Sequence, residues 1–503
     1  MRLSGRCSGI LLPISALPSP YGIGTLGKAA FHFADFLYQS GQRVWQLLPL
    51  GPTGYGDSPY QSFSCFAGNP YLIDLDSLIA QELLRPSEIR SIDWGSRADC
   101  VDYARLYASR RAILRLAFQR AQRVPALMAA VEAFRCKNSR WLENYALFMA
   151  LKHRFNTAPW DSWPEELRVK SPAALDAYSK LLRDDIALEY FIQYTFFTQF
   201  HTLHRYCRRK GIALTGDLPI YAAFDSADVW SEPEEFLLDS EQNPLAVAGV
   251  PPDDFCPTGQ RWGNPLYDWE YMCKDDFTWW RRRIAAAAAL YEMIRLDHFR
   301  GFESFWSIPP DSRTAESGQW RLGPGLFFIH MLQKYFPDTL FIAEDLGMIT
   351  DEVHSLRHAA GIPGMAVLSF AFAPGSESPY LPHRLTADCV CCTGTHDNAP
   401  LSAFCSSADA DTLDYLRSYC GEDLPFSIIR AGMTSPAGIF IAQMQDWLEL
   451  GEQSRTNTPG AVNGCWQWRL SPGLLTKELQ EKIYQLTKAA HRLNSPIYKE
   501  DMI

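Results

Sequence analysis

The chain has 503 residues, 47% hydrophobic and 21% charged, the make-up of a globular protein, which excludes a disordered or collagen-like chain and a disulfide-built miniprotein. Forty-seven Lys and Arg against 57 Asp and Glu leave a formal charge of −10; phosphate backbones demand a basic footprint, so no nucleic acid is expected and a neutral polar ligand fits better. The one excess is aromatic, with 15 Trp, 22 Tyr and 29 Phe, rings that build cores and also stack on flat-faced ligands.

At about 150 residues per domain the length allows roughly three domains, or one elaborated α/β barrel. The N-terminal MRLSGRCSGILLPISALPSP is broken by Pro13 and has neither the apolar region nor the cleavage site of a secretory signal. No run reaches the roughly 18 apolar residues of a membrane span. A soluble, cytoplasmic protein with no membrane partner is expected. The 13 cysteines follow no regular spacing. Cys389 and Cys392 form a CxxC without a second pair, which reads as free thiols and not as a zinc site.

Eight short apolar runs follow one another: SGILLPISAL (8–17), RVWQLLPL (43–50), GIALTGDLPI (211–220), YEMIRLDHF (291–299), TLFIAEDLG (339–347), MAVLSFAF (365–372), CVCCTGTHD (389–397) and GIFIAQMQDW (438–447). Their aliphatic and aromatic content, with Gly or Pro near most of them, is that of buried parallel strands. Helical patterns separate most of them, including Lys28–Ser40, Asp275–Leu290 and Leu326–Tyr335. Strand–helix alternation implies a parallel sheet. Eight units predict an α/β chain folded as a (β/α)8 TIM barrel over residues 1–80 and 206–503.

Between the second and third strands, residues 81–205 carry the helical stretches Tyr103–Val124, Pro125–Phe134, Trp141–Arg154 and Ala173–His204, and read as an inserted, mostly helical subdomain. Residues 225–274, rich in Pro, Gly, Asp and Trp, read as a long loop insertion at the C-terminal face, where such loops bind ligands or act as lids. The basic clusters Arg205, Arg208, Arg209, Lys210 and Arg281 to Arg283 read as solvated helix faces or helix C-termini.

Barrel chemistry sits at the C-terminal strand ends. Four carboxylates fall there: Asp217 after IALTG, Asp297 after EMIRL, Glu344 after LFIA and Asp397 after TGTH. One acid at a strand end is commonly a turn or helix-cap residue; four on four strands predict a shared mouth. Arg295 and Asp297 are two apart and project to one face, and a guanidinium beside a carboxylate favours the ionised form that a nucleophile needs. Glu344 and Asp345 point to opposite faces, so only one lines the mouth. A carboxyl near two others is raised toward a general acid's range. His396, Asp397 and Asn398 supply donors and an acceptor suited to vicinal hydroxyls.

Separate acid and nucleophile carboxylates among aromatics match glycoside chemistry with retention. Asp297, His298, His396 and Asp397 also have metal-ligand chemistry. No HExxH is present, however, and the histidines adjoin the acids, so neither metal nor cofactor is expected.

RLDHFRG (295–301), IAEDLG (342–347), GTHDN (394–398) and GDLPIY (216–221) resemble the motifs of the amylomaltases, the 4-α-glucanotransferases of glycoside hydrolase family 77. So do GDSPYQSFSCFAGNPYLIDL (56–75), VAGVPPDDF (247–255), GQRWGNPLYDW (259–269) and NTPG (457–460). The resemblance spans the chain, with the helical segment least covered. By motif it implies Asp297 as nucleophile, Glu344 as acid/base and Asp397 as the third carboxylate that holds sugar hydroxyls. It implies Arg295 and His396 as their partners at the donor sugar, Asp217 as the aspartate of the first shared region, and Tyr60 and Trp262 in glucan-contacting stretches. The family often has Tyr where VPPDDF has Asp254, and Asn where GCWQW has Cys465; those loops frame the donor and acceptor grooves, so the resemblance carries over the chemistry but not the chain-length preference.

Carboxylates alone do not separate transfer from hydrolysis. Water outnumbers any acceptor, so transfer needs a site that positions the acceptor and excludes water. The loop near 250 and the NTPG segment are suited to closing over the groove, with Phe255, Trp262, Tyr60 and Trp466 as stacking surfaces. The resemblance favours transfer of α-1,4-glucan segments from a maltooligosaccharide or a glycogen- or starch-derived dextrin to a glucose or maltooligosaccharide acceptor. The residues by themselves also allow a retaining α-glucosidase or amylase-like hydrolase, and a non-catalytic glucan-binding barrel, against which the intact carboxylates argue.

Overall fold

The computed structural model describes residues 5–493 apart from 55, 254, 255, 348, 376 and 462. Asp254 and Phe255, which the sequence marks in the loop near 250, therefore lie outside the described residues. The described strands are β1 (Cys7–Leu11), β2 (Val44–Gln46), β3 (Ala213–Leu218), β4 (Val247–Val250), β5 (Gln260–Pro265), β6 (Met293–Leu296), β7 (Ser304–Ile308), β8 (Gln319–Leu322), β9 (Leu340–Ala343), β10 (Gly364–Val367), β11 (Cys389–Cys392) and β12 (Ile439–Gln443). Eight of them form a parallel sheet in the order β10-β11-β12-β1-β2-β3-β6-β9. Each falls within one of the eight apolar runs, except that β1 and β10 begin one residue before theirs.

The sheet is a nearly closed barrel. Between β9 and β10 there is no ladder; Ala343 N donates to Pro363 O at 2.9 Å, and the Asp345 carboxylate completes the seam by accepting from Met365 N at 2.7 Å. Arg357 pairs with the other Asp345 oxygen at 2.9 Å. A Cβ on Gly364 would stand 2.5 Å from that oxygen, so only glycine admits the carboxylate here.

Strand side chains alternate, and two cores result. Inside the barrel, Leu11, Val44, Ala213, Met293, Leu340, Ile342, Val390, Cys392, Ile439 and Ile441 pack on one another. The opposite parity, including Ile10, Ile294, Phe341, Cys391 and Phe440, joins the larger core against the surrounding helices.

Helices Tyr103–Ala121, Pro125–Lys137, Ser139–Arg154, Pro172–Leu181 and Arg183–Arg209 lie between β2 and β3. The stretch read as one helix over Ala173–His204 is two, broken at Leu182 (φ −102°, ψ 18°). Asp184 and Asp185 then fall in a first turn, where acids complement the helix dipole. The 27-residue helix Arg183–Arg209 braces the segment after β2. Gln193 makes paired bonds to Gly68 N and O at 2.8 and 2.9 Å, and Gln199 to Asp74 N and O at 2.7 and 3.1 Å.

Residues 225–274 are more ordered than a loop. They contain β4 and β5, which join β7 and β8 in a second, antiparallel sheet of order β5-β4-β7-β8. Its hairpin partner β7–β8 has no alternating signal strong enough to read, because all four β8 residues are exposed. Arg283, which by sequence belongs to a solvated cluster, is 2% exposed. It donates to the carbonyls of Pro219 and Ile220 and to Tyr267 Oη, satisfying acceptors in the irregular chain that follows β3. Among the described residues, no helix is long and apolar enough to cross a membrane. The thirteen cysteines carry free thiols.

Candidate active site

Strand parity carries side chains of three strands to one mouth. On β3 the inner face runs Ala213, Thr215, Asp217; on β6 it runs Met293, Arg295 and on to Asp297; on β9 it runs Leu340, Ile342 and on to Glu344. Asp345, one residue out of phase, is the seam carboxylate and does not face the mouth.

Arg295 ties the polar cluster together. Its Nη1 donates to Asp217 Oδ1 and to Asp297 Oδ1, each at 2.7 Å. Asp217 is fully buried at its side chain while Asp297 keeps 24% exposure, so Asp297 is the one open to the mouth. Burial works against the Arg295 charge, but Asp217, Asp297 and Glu344 hold its pKa well above the ordinary value. Burial raises Asp217 despite Arg295.

Glu344 is held differently. Its two oxygens accept from backbone N–H groups, Oε2 from His298 at 2.7 Å and Oε1 from Leu346 at 3.0 Å. Burial, opposed by Arg295 and reinforced by the Asp297 charge, pushes it up to about 7. His298 has left-handed backbone (φ 49°), which turns its N–H toward the carboxyl. Burial lowers its ring to about 4, so the imidazole is neutral near pH 7.

The opposite wall is aromatic. Tyr60 donates to Asp217 Oδ2 at 2.8 Å and lies 3.2 Å from His396 Nδ1. Its ring stacks on His396 at 4.7 Å between centroids, and Trp466 packs against both at 5.7 and 5.6 Å. Trp466 also has positive φ (64°), uncommon for a bulky side chain; Tyr103 Oη donates to its carbonyl at 3.0 Å and its N–H bonds Thr456 O at 2.6 Å. Asp397 Oδ1 lies 3.3 Å from His396 Nε2 and accepts from Asn457 Nδ2 at 2.6 Å. Asn398 lines the cleft, but its carbonyl oxygen is turned to its own loop, accepting from Thr395 N and Oγ1. Trp262, on β5, meets the His298 ring edge-on at 4.9 Å.

Apart from Asp217, which is buried behind Arg295, the charged and aromatic side chains of this cluster line one cleft of about 1620 Å³, whose lining also includes residues 250–253 and 457–461. Among the described residues no group of three or more His, Cys, Asp or Glu is placed to hold a metal ion. Sequence reading missed the backbone role of His298 and the Asn457–Asp397 bond. The NTPG motif marked Asn457, but a partner 60 residues away leaves no local signal.

A family model described as 4-alpha-glucanotransferase, glycoside hydrolase family 77, matches residues 12–476. The chain belongs to this family. The 4-alpha-glucanotransferase of Thermus thermophilus is 44% identical over 501 residues, covering 97% of this chain and 99% of the relative. That of Streptococcus pneumoniae (strain ATCC BAA-334 / TIGR4) is 43% identical over 495 residues, with coverages of 97% and 98%. The amylomaltase of Streptococcus agalactiae, solved in complex with acarbose, superposes with a TM-score of 0.95 at 36% identity, covering 97% of this chain and all of that one. The eight-stranded sheet is thus the (β/α)8 barrel of a glycoside hydrolase family 77 member.

Proposed function

We propose that the chain transfers α-1,4-glucan segments from a donor to the 4-hydroxyl of an acceptor glucan or glucose, by double displacement through a covalent glycosyl-enzyme. It acts as a 4-α-glucanotransferase, with maltooligosaccharides or glycogen- or starch-derived dextrins as donors. One observation carries the reading: a carboxylate bonded to a guanidinium faces the same cleft as a carboxyl raised to about 7. In this scheme Asp297 attacks the anomeric carbon and Glu344 gives its proton to the departing glycosidic oxygen. The C–O bond to the leaving chain breaks as the bond to Asp297 forms. Asp397, with His396 and Asn457 beside it, holds hydroxyls of the donor sugar, and Asp217 keeps Arg295 in place.

The change of role at Glu344 has a physical cause. Asp297 is among the charges that raise Glu344, and esterification removes that charge. Glu344 then falls toward the ordinary carboxylate range and takes the proton of the incoming 4-hydroxyl as base.

The cleft exceeds the usual few hundred to about 1,000 Å³ of a small-ligand pocket, room for several sugar rings. Loops on both sides favour an acceptor sugar over water. Incubation with maltotriose alone tests this. Longer oligomers plus glucose, with little net gain of reducing ends, are expected; steady growth of reducing ends would sink the transferase reading in favour of hydrolysis.

A further inference from the structure

We propose that Trp320, with Arg300 packed on it, is an outer acceptor subsite that stacks a glucan ring beyond the sugar receiving the new bond. The proposal rests on the transferase reading and deepens it.

The direction comes from Glu344. In retaining chemistry the acid/base carboxyl stands on the side of the departing and entering sugars. From it contacts lead to His298 through its N–H and from the His298 ring to Trp262, and Arg300 follows His298 by two residues. The Arg300 guanidinium lies over the Trp320 ring at 4.0 Å from its centroid. Asp217, Asp397, Tyr60 and Trp466 lie along the other contact path from Asp297, so Trp320 is on the acceptor side.

Trp320 has the surroundings of a platform and not of a core residue. It lines the cleft and is 41% exposed, on a strand whose four residues are all exposed. Yet the ring is held. Its cross-strand partner Trp306 meets it edge-on at 5.1 Å, and Trp306 is itself locked by donating Nε1 to Ala315 O at 2.9 Å. Arg300 is 7% exposed and only three residues past Asp297, which ties the platform to the strand end that carries the nucleophile. A preorganised ring loses little freedom on binding. A pyranose offers an apolar face of C–H groups to the indole and hydroxyl edges to guanidinium donors. That pairing selects a neutral sugar chain.

The test uses the full-length enzyme, maltoheptaose as donor, and radiolabelled glucose, maltose, maltotriose or maltotetraose as acceptor. Trp320→Ala is expected to raise the acceptor KM for maltotriose and maltotetraose about tenfold, or about 1.4 kcal/mol. The effect with glucose stays within about twofold, because glucose is too short to reach the ring. Trp320→Phe, which keeps an aromatic face, restores most of the loss. Trp320→Leu, which keeps bulk without a ring, behaves like the alanine variant and serves if alanine does not fold. An equal effect on every acceptor, or none on any, overturns the platform. A wild-type enzyme that labels no acceptor at all overturns the transfer reading itself; an unchanged length profile with wild-type transfer intact overturns only the role of Trp320.

Discussion

Replacing Asp297 by Asn removes one negative charge while keeping the side-chain shape, and the effect is read at Glu344. Asp297 is one of the charges that raise Glu344 to about 7. At the roughly 5.5 Å typical of retaining carboxylate pairs, two unit charges in an effective dielectric of about 20 repel by about 3 kcal/mol. That moves the midpoint by about two pH units, from about 7 toward 5. At pH 6 the protonated fraction of Glu344 then drops from about ten in eleven to about one in eleven. The assay is a carbon-13 NMR titration of protein labelled at glutamate carboxyls, with the Asp297→Asn/Glu344→Gln double variant identifying the resonance. Turnover of Asp297→Asn itself is expected to be nearly abolished, while glucan binding persists. A Glu344 midpoint at or above about 7 in Asp297→Asn would mean that the Asp297 charge does not drive the switch from acid to base. Near-normal turnover would refute the nucleophile assignment.

Because the acid form of Glu344 does the first step, kcat/KM on glucan donors should fall as pH rises through about 7, and Glu344→Gln should lose about 10²- to 10⁴-fold together with that limb; a retained limb near 7 points to another group. Arg357→Ala leaves the Asp345 carboxylate, 6% exposed at its side chain, with a neutral N–H donor but without its guanidinium, which costs about 3–5 kcal/mol in urea unfolding. Burial already raises Asp345, and losing Arg357 raises it further. Its protonation then relieves the loss at low pH, so the destabilisation should be larger at pH 8 than at pH 5; the reverse order contradicts the seam role.

Much of the fold was legible because barrel strands are short, apolar and separated by helices, a signal contained in each segment. Parity in the strand run at 339–347 put Glu344 and Asp345 on opposite faces without saying which of them faces the mouth. Parity likewise paired Arg295 with Asp297, and the structure adds that the same Arg295 nitrogen reaches Asp217 on the neighbouring strand. Arg283 misled because it stands in a run of three arginines, and its burial is explained by acceptors distant in sequence, the carbonyls of Pro219 and Ile220 and Tyr267 Oη. The loop reading of 225–274 missed β4 and β5, which pair with each other, because the strand that completes their sheet, β7 beside β4, lies more than 50 residues on from β4.

The aromatic excess resolves in the same way. Sequence alone determined that this is an α/β barrel with carboxylates at four strand ends, since strand periodicity and motif order are local properties of the chain. Only the tertiary structure decided which rings are core, such as fully buried Trp45 and Trp279, and which, such as Tyr60, Trp262, Trp320 and Trp466, line the cleft. It alone revealed that Asp345 closes the barrel while its neighbour Glu344 faces the mouth, and that Asn457 steadies Asp397. Those outcomes depend on contacts between residues far apart in the chain, whose energies exist only once the barrel has brought them together.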